Sequence, residues 1–200
     1  MLQVNNLSFD YVDNPVLKNI DFELPAGKLM HLQGENGSGK STLLKIIAGL
    51  ISPTEGDIRY NDEPIEFIKS NYQRNLCYVG HKLGISPVLS AQENCHFDLQ
   101  HGRRVIDWVR SVEQLSLTGL DQVPCGLLSA GQRRRVALLR LQMSNAKIWL
   151  LDEPFVSLDN QTILFLTEQL LNHLSHGGAV ILTSHQSIPF PPDLYLEYCL

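Results

Sequence analysis

The sequence predicts an α/β fold with a largely parallel central sheet, and three stretches predict it. Lys28 to Gln33 alternates toward a strand and enters a glycine-rich turn. Leu43, Leu44, Ile46, Ile47 and Leu50 then recur at helical spacing. Lys147 to Asp152 is nearly continuously apolar, as a parallel strand covered on both faces must be. Ile163, Leu166, Leu170 and Leu174 mark one face of a helix over Thr162 to Leu174. Gly177-Gly178 ends that helix, and Ala179 to Thr183 is a further apolar strand.

The remaining elements follow in chain order. Leu2 to Asp10 and Val16 to Leu24 read as strands around a turn at Asp13-Asn14-Pro15. Tyr11 closes the first strand with an aromatic ring that can stack on a planar ligand or cover a sheet face. Pro25-Ala26-Gly27 turns the chain into the strand before the glycine-rich loop. Pro53 to Gly56 forms a break, Asp57 to Tyr60 a short strand, and Leu76 to Val79 another that ends at Gly80-His81. From Ser90 to Leu127 the pattern is helical, with turn signals at Gly102, Gly119 and Pro124. Trp108, Val109, Val112 and Leu115 share a helix face expected to pack into the core. Leu128-Ser129-Ala130-Gly131-Gln132 introduces Arg133-Arg134-Arg135 and a helix over Val136 to Met143. Consecutive arginines fan out around a helix axis. They are expected to form a solvated face or local salt bridges rather than a nucleic-acid patch.

The bulk numbers narrow the possibilities. The 200 residues fit one domain, or a core with a smaller lobe, at 44% hydrophobic and 18% charged residues. A net charge of −5 gives no general reason to expect nucleic acid as a partner. Cys77, Cys95, Cys125 and Cys199 lack zinc-ligand spacing and read as reduced thiols of a cytosolic protein. The opening residues show no signal-peptide pattern, and no apolar run approaches the ~18 residues of a membrane span. Attachment to a membrane would therefore depend on another polypeptide.

The turn Gly34-Glu35-Asn36-Gly37-Ser38-Gly39-Lys40-Ser41-Thr42 fits the phosphate-binding pattern G-x-x-x-x-G-K-[ST]. Glycines let the backbone wrap closely enough for successive N–H groups to form an anion nest. The following helix adds its positive N-terminal end. Lys40 brings a mobile charge for the β- and γ-phosphates, and Ser41 a hydroxyl ligand for Mg²⁺. Asp152 and Glu153 end a buried strand where open α/β sheets place ligands. There Asp152 can hold the same Mg²⁺ and Glu153 can polarise an attacking water. His185 follows the next strand at the same edge of the sheet.

Taken in order, these motifs resemble the ATP-binding cassette (ABC) family across essentially the whole chain. Gly34 to Thr42 resembles its Walker A motif, and Ile148 to Asp152 with Glu153 resembles Walker B and the catalytic glutamate. Leu128-Ser129-Ala130-Gly131-Gln132 resembles the signature L-S-G-G-Q. Ser157-Leu158-Asp159 resembles the D-loop, His185 the switch histidine, and Tyr11 the adenine-stacking aromatic. Two positions depart from the family pattern. Ala130 replaces the first signature glycine, and His81 stands where most relatives carry the Q-loop glutamine, which puts direct Mg²⁺ coordination there in doubt.

The resemblance implies one cassette over residues 1–200 with the P-loop NTPase fold. A mixed or parallel RecA-like core sheet would carry an N-terminal antiparallel β subdomain and a helical subdomain inserted at about 82–145. It implies ATP and Mg²⁺ as ligands, and cassettes that pair head to tail on ATP binding. Ser129, Gly131 and Gln132 would then act on the partner's nucleotide, and Asp159 would link the two sites. Gly80-His81, Gly84-Ile85, Leu89-Ser90, Glu93-Asn94 and Ile181 to Gln186 are similar to the ATP-binding subunits of haem exporters of cytochrome c maturation. That similarity implies CcmB- and CcmC-like integral membrane partners, a peripheral place on the cytoplasmic face of the bacterial inner membrane, and only indirect action on a haem chaperone.

Other classes leave different marks. A translation or DNA-repair cassette would carry tandem cassettes or a long coiled coil, and a small-molecule kinase has no use for Leu128 to Gln132. A cassette serving another small-molecule or lipid exporter would share the Walker A, Walker B and signature motifs.

Overall fold

In chain order the strands are β1 (Leu2–Tyr11), β2 (Asn14–Leu24), β3 (Leu29–Gln33), β4 (Glu55–Tyr60), β5 (Glu63–Pro64), β6 (Leu76–Val79), β7 (Ile148–Asp152), β8 (Ala179–Thr183) and β9 (Tyr195–Cys199). The helices are α1 (Lys40–Ile47), α2 (Lys69–Arg74), α3 (Ala91–Phe97), α4 (Trp108–Gln114), α5 (Ala130–Met143) and α6 (Asn160–Ser175). The computed structural model describes residues 1–12, 14–97, 106–184 and 190–200. Gly102 and His185 lie outside them.

Alternation along the central strands divides the interior in two. In β7, Ile148 and Leu150 enter one core while Trp149 and Leu151 enter the other; Ala179 and Ile181 against Val180 and Leu182 do the same in β8. These strands are buried on both faces, which is why their sequences are continuously apolar. Among the described residues, β6-β7-β8-β3-β9 form one sheet, parallel at every pairing. The strands β2-β1-β4-β5 form a separate antiparallel sheet. The expected mixture of strand directions therefore lies between two sheets.

One core joins the antiparallel sheet and α1 to one face of the parallel sheet. The other joins the opposite face to α5, α6 and buried residues of α3 and α4. Cys77, Cys95 and Cys125 are buried thiols, and Cys199 is exposed.

Several local expectations change. The first hairpin is tighter, because Tyr11 pairs with Asn14 and Asp10 with Pro15. Strand β4 starts at Glu55, inside the expected break. Helix α1 stops at Ile47, leaving Leu50 63% exposed. Val112 and Leu115 pack as expected and Trp108 is half-buried, but Val109 is 75% exposed on the outer side of α4. Strand β9, an element not predicted from the sequence, pairs with β3 from Leu29↔Tyr195 to Gln33↔Cys199.

Candidate nucleotide site

Register places the site. Asp152 pairs with Thr183, and Thr183 with Leu32, in one row across the sheet. Gly34 begins the phosphate loop two residues beyond Leu32, so the loop and the carboxylate strand emerge at the same carboxyl edge.

The loop is held from below by the antiparallel sheet. Gly39 has φ 98°, and a Cβ there would stand 2.7 Å from Leu17 Cδ2 and 3.0 Å from Val16 Cγ1. Only glycine meets both demands. This contact brings the start of β2 against the loop, and β2 pairs with the strand that ends at Tyr11. Tyr11 is 48% exposed and stands edge-on to Phe9, with ring centroids 4.7 Å apart. The Lys40 ammonium donates to the carbonyls of Gly34 at 2.7 Å and Glu35 at 2.8 Å. An ammonium has three donors, so one remains for a phosphate oxygen. Ser38 N donates to Glu35 O, closing the turn around Asn36 and Gly37. Ser41 and Thr42 follow in the first turn of α1, at its positive end.

Asp152 is 2% exposed. Its Oδ1 accepts the Thr183 hydroxyl at 2.9 Å, and that hydroxyl in turn accepts Glu153 N–H at 2.8 Å. Among the described residues, Asp152 Oδ2 and Ser38 Oγ are buried without hydrogen-bond partners. A buried carboxylate oxygen left unbonded is costly in isolation and suits a hydrated divalent cation. Glu153 adopts φ 51°, a left-handed backbone unusual for a side chain of its size.

The arginines differ from the expected solvated face. Arg134 is only 8% exposed, and its Nη1 donates to Glu153 O at 2.9 Å and Asp152 O at 3.3 Å. Arg133 bonds the carbonyl of Leu128. Arg135 pairs with Asp159 at 2.6 Å, which fulfils the salt-bridge half of the expectation.

The signature caps α5. Ser129 Oγ accepts Gln132 N–H at 3.2 Å, while Gln132 Oε1 accepts Ser129 N–H at 2.8 Å. Gly131 packs on the segment after β7, where a Cβ would lie 2.7 Å from Ser157 O. Ala130 is exposed at the first position of α5. Asp159 caps α6 by accepting Thr162 N–H at 2.8 Å. His81 is exposed in a cleft of about 480 Å³, together with Lys82, Ala130, Arg133, Arg134 and Ser157.

Thr183 and His31 were not singled out from the sequence, and Arg134 was read only as one of the three consecutive arginines. Thr183 had a signal, a hydroxyl ending an otherwise apolar strand. His31 is 4% exposed, with Nε2 3.0 Å from Ser184 O and Nδ1 2.6 Å from the Tyr195 hydroxyl. A carbonyl only accepts, so in the neutral ring Nε2 carries the proton and Tyr195 donates to Nδ1. The ring thus ties β3 and β9 to the residue preceding His185.

The family comparison agrees with this geometry: residues 17–156 match the ABC transporter family. The chain belongs to the ABC transporter family. A cytochrome c biogenesis ATP-binding export protein, CcmA, of Legionella pneumophila strain Lens is 49% identical over 200 residues, covering all of both chains. A protein of the same name from Histophilus somni is 41% identical over 94% of this chain and 88% of its own. Among solved structures, a putative ABC transporter ATP-binding protein from Pyrococcus furiosus superposes with TM-score 0.81 at 27% identity, covering 100% of this chain and 96% of that one. A dimeric ATP-binding cassette in a post-hydrolysis state with ADP and Pi gives TM-score 0.82 at 25% identity, covering 93% and 88%. This cassette is therefore an ATPase of the ABC type.

Proposed function

We propose that this cassette is the ATP-hydrolysing subunit of a haem exporter of cytochrome c biogenesis. The reading rests on its 49% identity, over the whole of both chains, to an export protein of that system. The nucleotide-site geometry supports the hydrolytic part. Phosphoryl transfer to water asks for positioning and charge neutralisation rather than covalent chemistry. Lys40 and the N–H groups of Gly34 to Thr42 would hold the phosphates, with the Tyr11 ring on the adenine.

Asp152, through the buried Oδ2, and Ser41 would hold Mg²⁺, which when bound neutralises phosphate charge. Glu153 would orient and deprotonate the attacking water, and His185 would contact the γ-phosphate. His81, at the signature-side cleft, has a role at most through water. Two cassettes would face head to tail, so that Ser129, Gly131 and the Gln132 end of α5 meet the partner's γ-phosphate and Asp159 links the sites.

Among the described residues no helix is long and apolar enough to cross a membrane. We place the chain on the cytoplasmic face of the inner membrane, held by CcmB- and CcmC-like subunits and acting on the haem chaperone only indirectly. In this reading residues from about 82 to 145 form the inserted helical lobe, and the exposed part of Lys82 to Leu89 contacts the membrane subunit.

Two experiments test the reading. Glu153→Gln should retain MgATP binding and lose most turnover; wild-type turnover would remove Glu153 as the base. Purification of the native complex should recover haem-handling membrane subunits, and a different permease would overturn the assignment.

A further inference from the structure

We propose that Arg134 is a positioning residue for hydrolysis, holding the backbone of Glu153 so that its carboxylate meets the attacking water. The proposal rests on Glu153 being the general base. Glu153 occupies φ 51°, a conformation that a residue with a Cβ keeps only when its surroundings impose it. Two groups impose it here from opposite sides. Glu153 N–H donates to Thr183 Oγ1 at 2.8 Å, and Glu153 C=O accepts Arg134 Nη1 at 2.9 Å. The same nitrogen also donates to Asp152 O at 3.3 Å, so one guanidinium end spans both carbonyls at the end of β7.

Arg134 is 8% exposed, and the charges it faces are the carboxylates of Glu153 and Asp152. Burial lowers its pKa while those two carboxylates oppose the shift. A desolvated cation persists there because both carbonyls and both acids favour it. Arg134 lies in the second turn of α5, the helix that Ser129 caps. The strut therefore also fixes the signature relative to its own carboxylate strand. A hydrophobic residue would leave the buried Asp152 carbonyl without this donor and the Glu153 carbonyl with only the longer Val156 N–H bond at 3.3 Å, loosening one side of the strained peptide.

The test compares Arg134→Met, Arg134→Lys and Glu153→Gln in the full chain assembled in its native complex. It reads kcat from phosphate release and Kd for MgATP from equilibrium binding. Arg134→Met should lower kcat at least tenfold with Kd within twofold of wild type. Arg134→Lys, with a donor but no planar fork, should fall between the two. If Arg134→Met fails to fold, Arg134→Lys decides alone: a kcat reduced threefold or more at unchanged Kd supports the strut, and wild-type kcat overturns it.

An Arg134→Met kcat within twofold of wild type, or a loss matched by weaker MgATP binding, also overturns it. If Glu153→Gln abolishes turnover while Arg134→Met does not lower it, the strut alone fails. Full turnover by Glu153→Gln sinks both assignments.

Discussion

Asp159 Oδ2 accepts Arg135 Nη2 at 2.6 Å, fastening the segment after β7 to the signature helix within one chain. The other carboxylate oxygen caps α6 through Thr162 N–H. The Thr162 bonds first, and the Arg135 charge after them, hold the Asp159 carboxyl below the ordinary aspartate range. A lowered folded-state pKa gives stability that is present above the unfolded value and lost as pH falls through the folded one.

Asp159 variants should separate these roles. Asp159→Ala should cost about 1 kcal/mol for the lost cap. The half-exposed ion pair adds only ~0.5 kcal/mol. Asp159→Asn should keep most of the cap and lose the acid-limb pH dependence. Chemical denaturation between acidic and neutral pH reads both effects; equal losses in the two variants would contradict this division.

The two small signature residues should respond to different degrees. Gly131→Ala places a methyl 2.7 Å from the Ser157 carbonyl, so one backbone must move. A loss of about 1–3 kcal/mol is expected from such overpacking, along with impaired turnover. Ala130→Gly, at an exposed helix start, should cost less than about 1 kcal/mol. Thermal unfolding of the two variants side by side checks this ordering.

Removing the Thr183 hydroxyl should damage both stability and catalysis. Thr183→Val leaves Glu153 N–H and Asp152 Oδ1 without their shared partner, at about 1–3 kcal/mol. Turnover should fall more than MgATP affinity, because the hydroxyl fixes the acids rather than the phosphates. Thr183→Ser should recover most of both, measured by phosphate release and equilibrium binding.

The alkaline limb should report buried phenols. Tyr72 is 1% exposed and donates to Ile47 O at 2.8 Å. Burial pushes its pKa far above the ordinary value. Tyr78 is raised to about 12, chiefly by burial and secondarily by Asp152. Their protons are lost from the unfolded chain near pH 10 but retained in the fold. Stability should therefore be full below about pH 10 and fall above it. Tyr72→Phe should flatten that fall in urea titrations between pH 8 and 11; an unchanged slope would exclude Tyr72 as its source.

The sequence by itself determined the local parts of this cassette. The spacing Gly34, Gly39, Lys40, Ser41 specifies an anion nest wherever a strand precedes it and a helix follows. The apolar run into Asp152-Glu153 similarly specifies a buried parallel strand with two acids at its end. Strand β6 and strand β8 were legible to the residue, because period-two burial and continuous apolarity are local properties.

Tertiary structure decided which distant groups complete each part. Strand β9 is half-buried and short, and it becomes a strand only by pairing with β3. Arg133-Arg134-Arg135 looks uniform in sequence, yet Arg134 is buried on two carbonyls while Arg135 reaches Asp159. The difference is set by which side of α5 faces β7. The row Asp152, Thr183, Leu32 likewise exists only through sheet register, and that register brings the phosphate loop and the carboxylates to one edge. Backbone hydrogen bonding between strands far apart in sequence has no short-range signature, so only the folded sheet assembles the site.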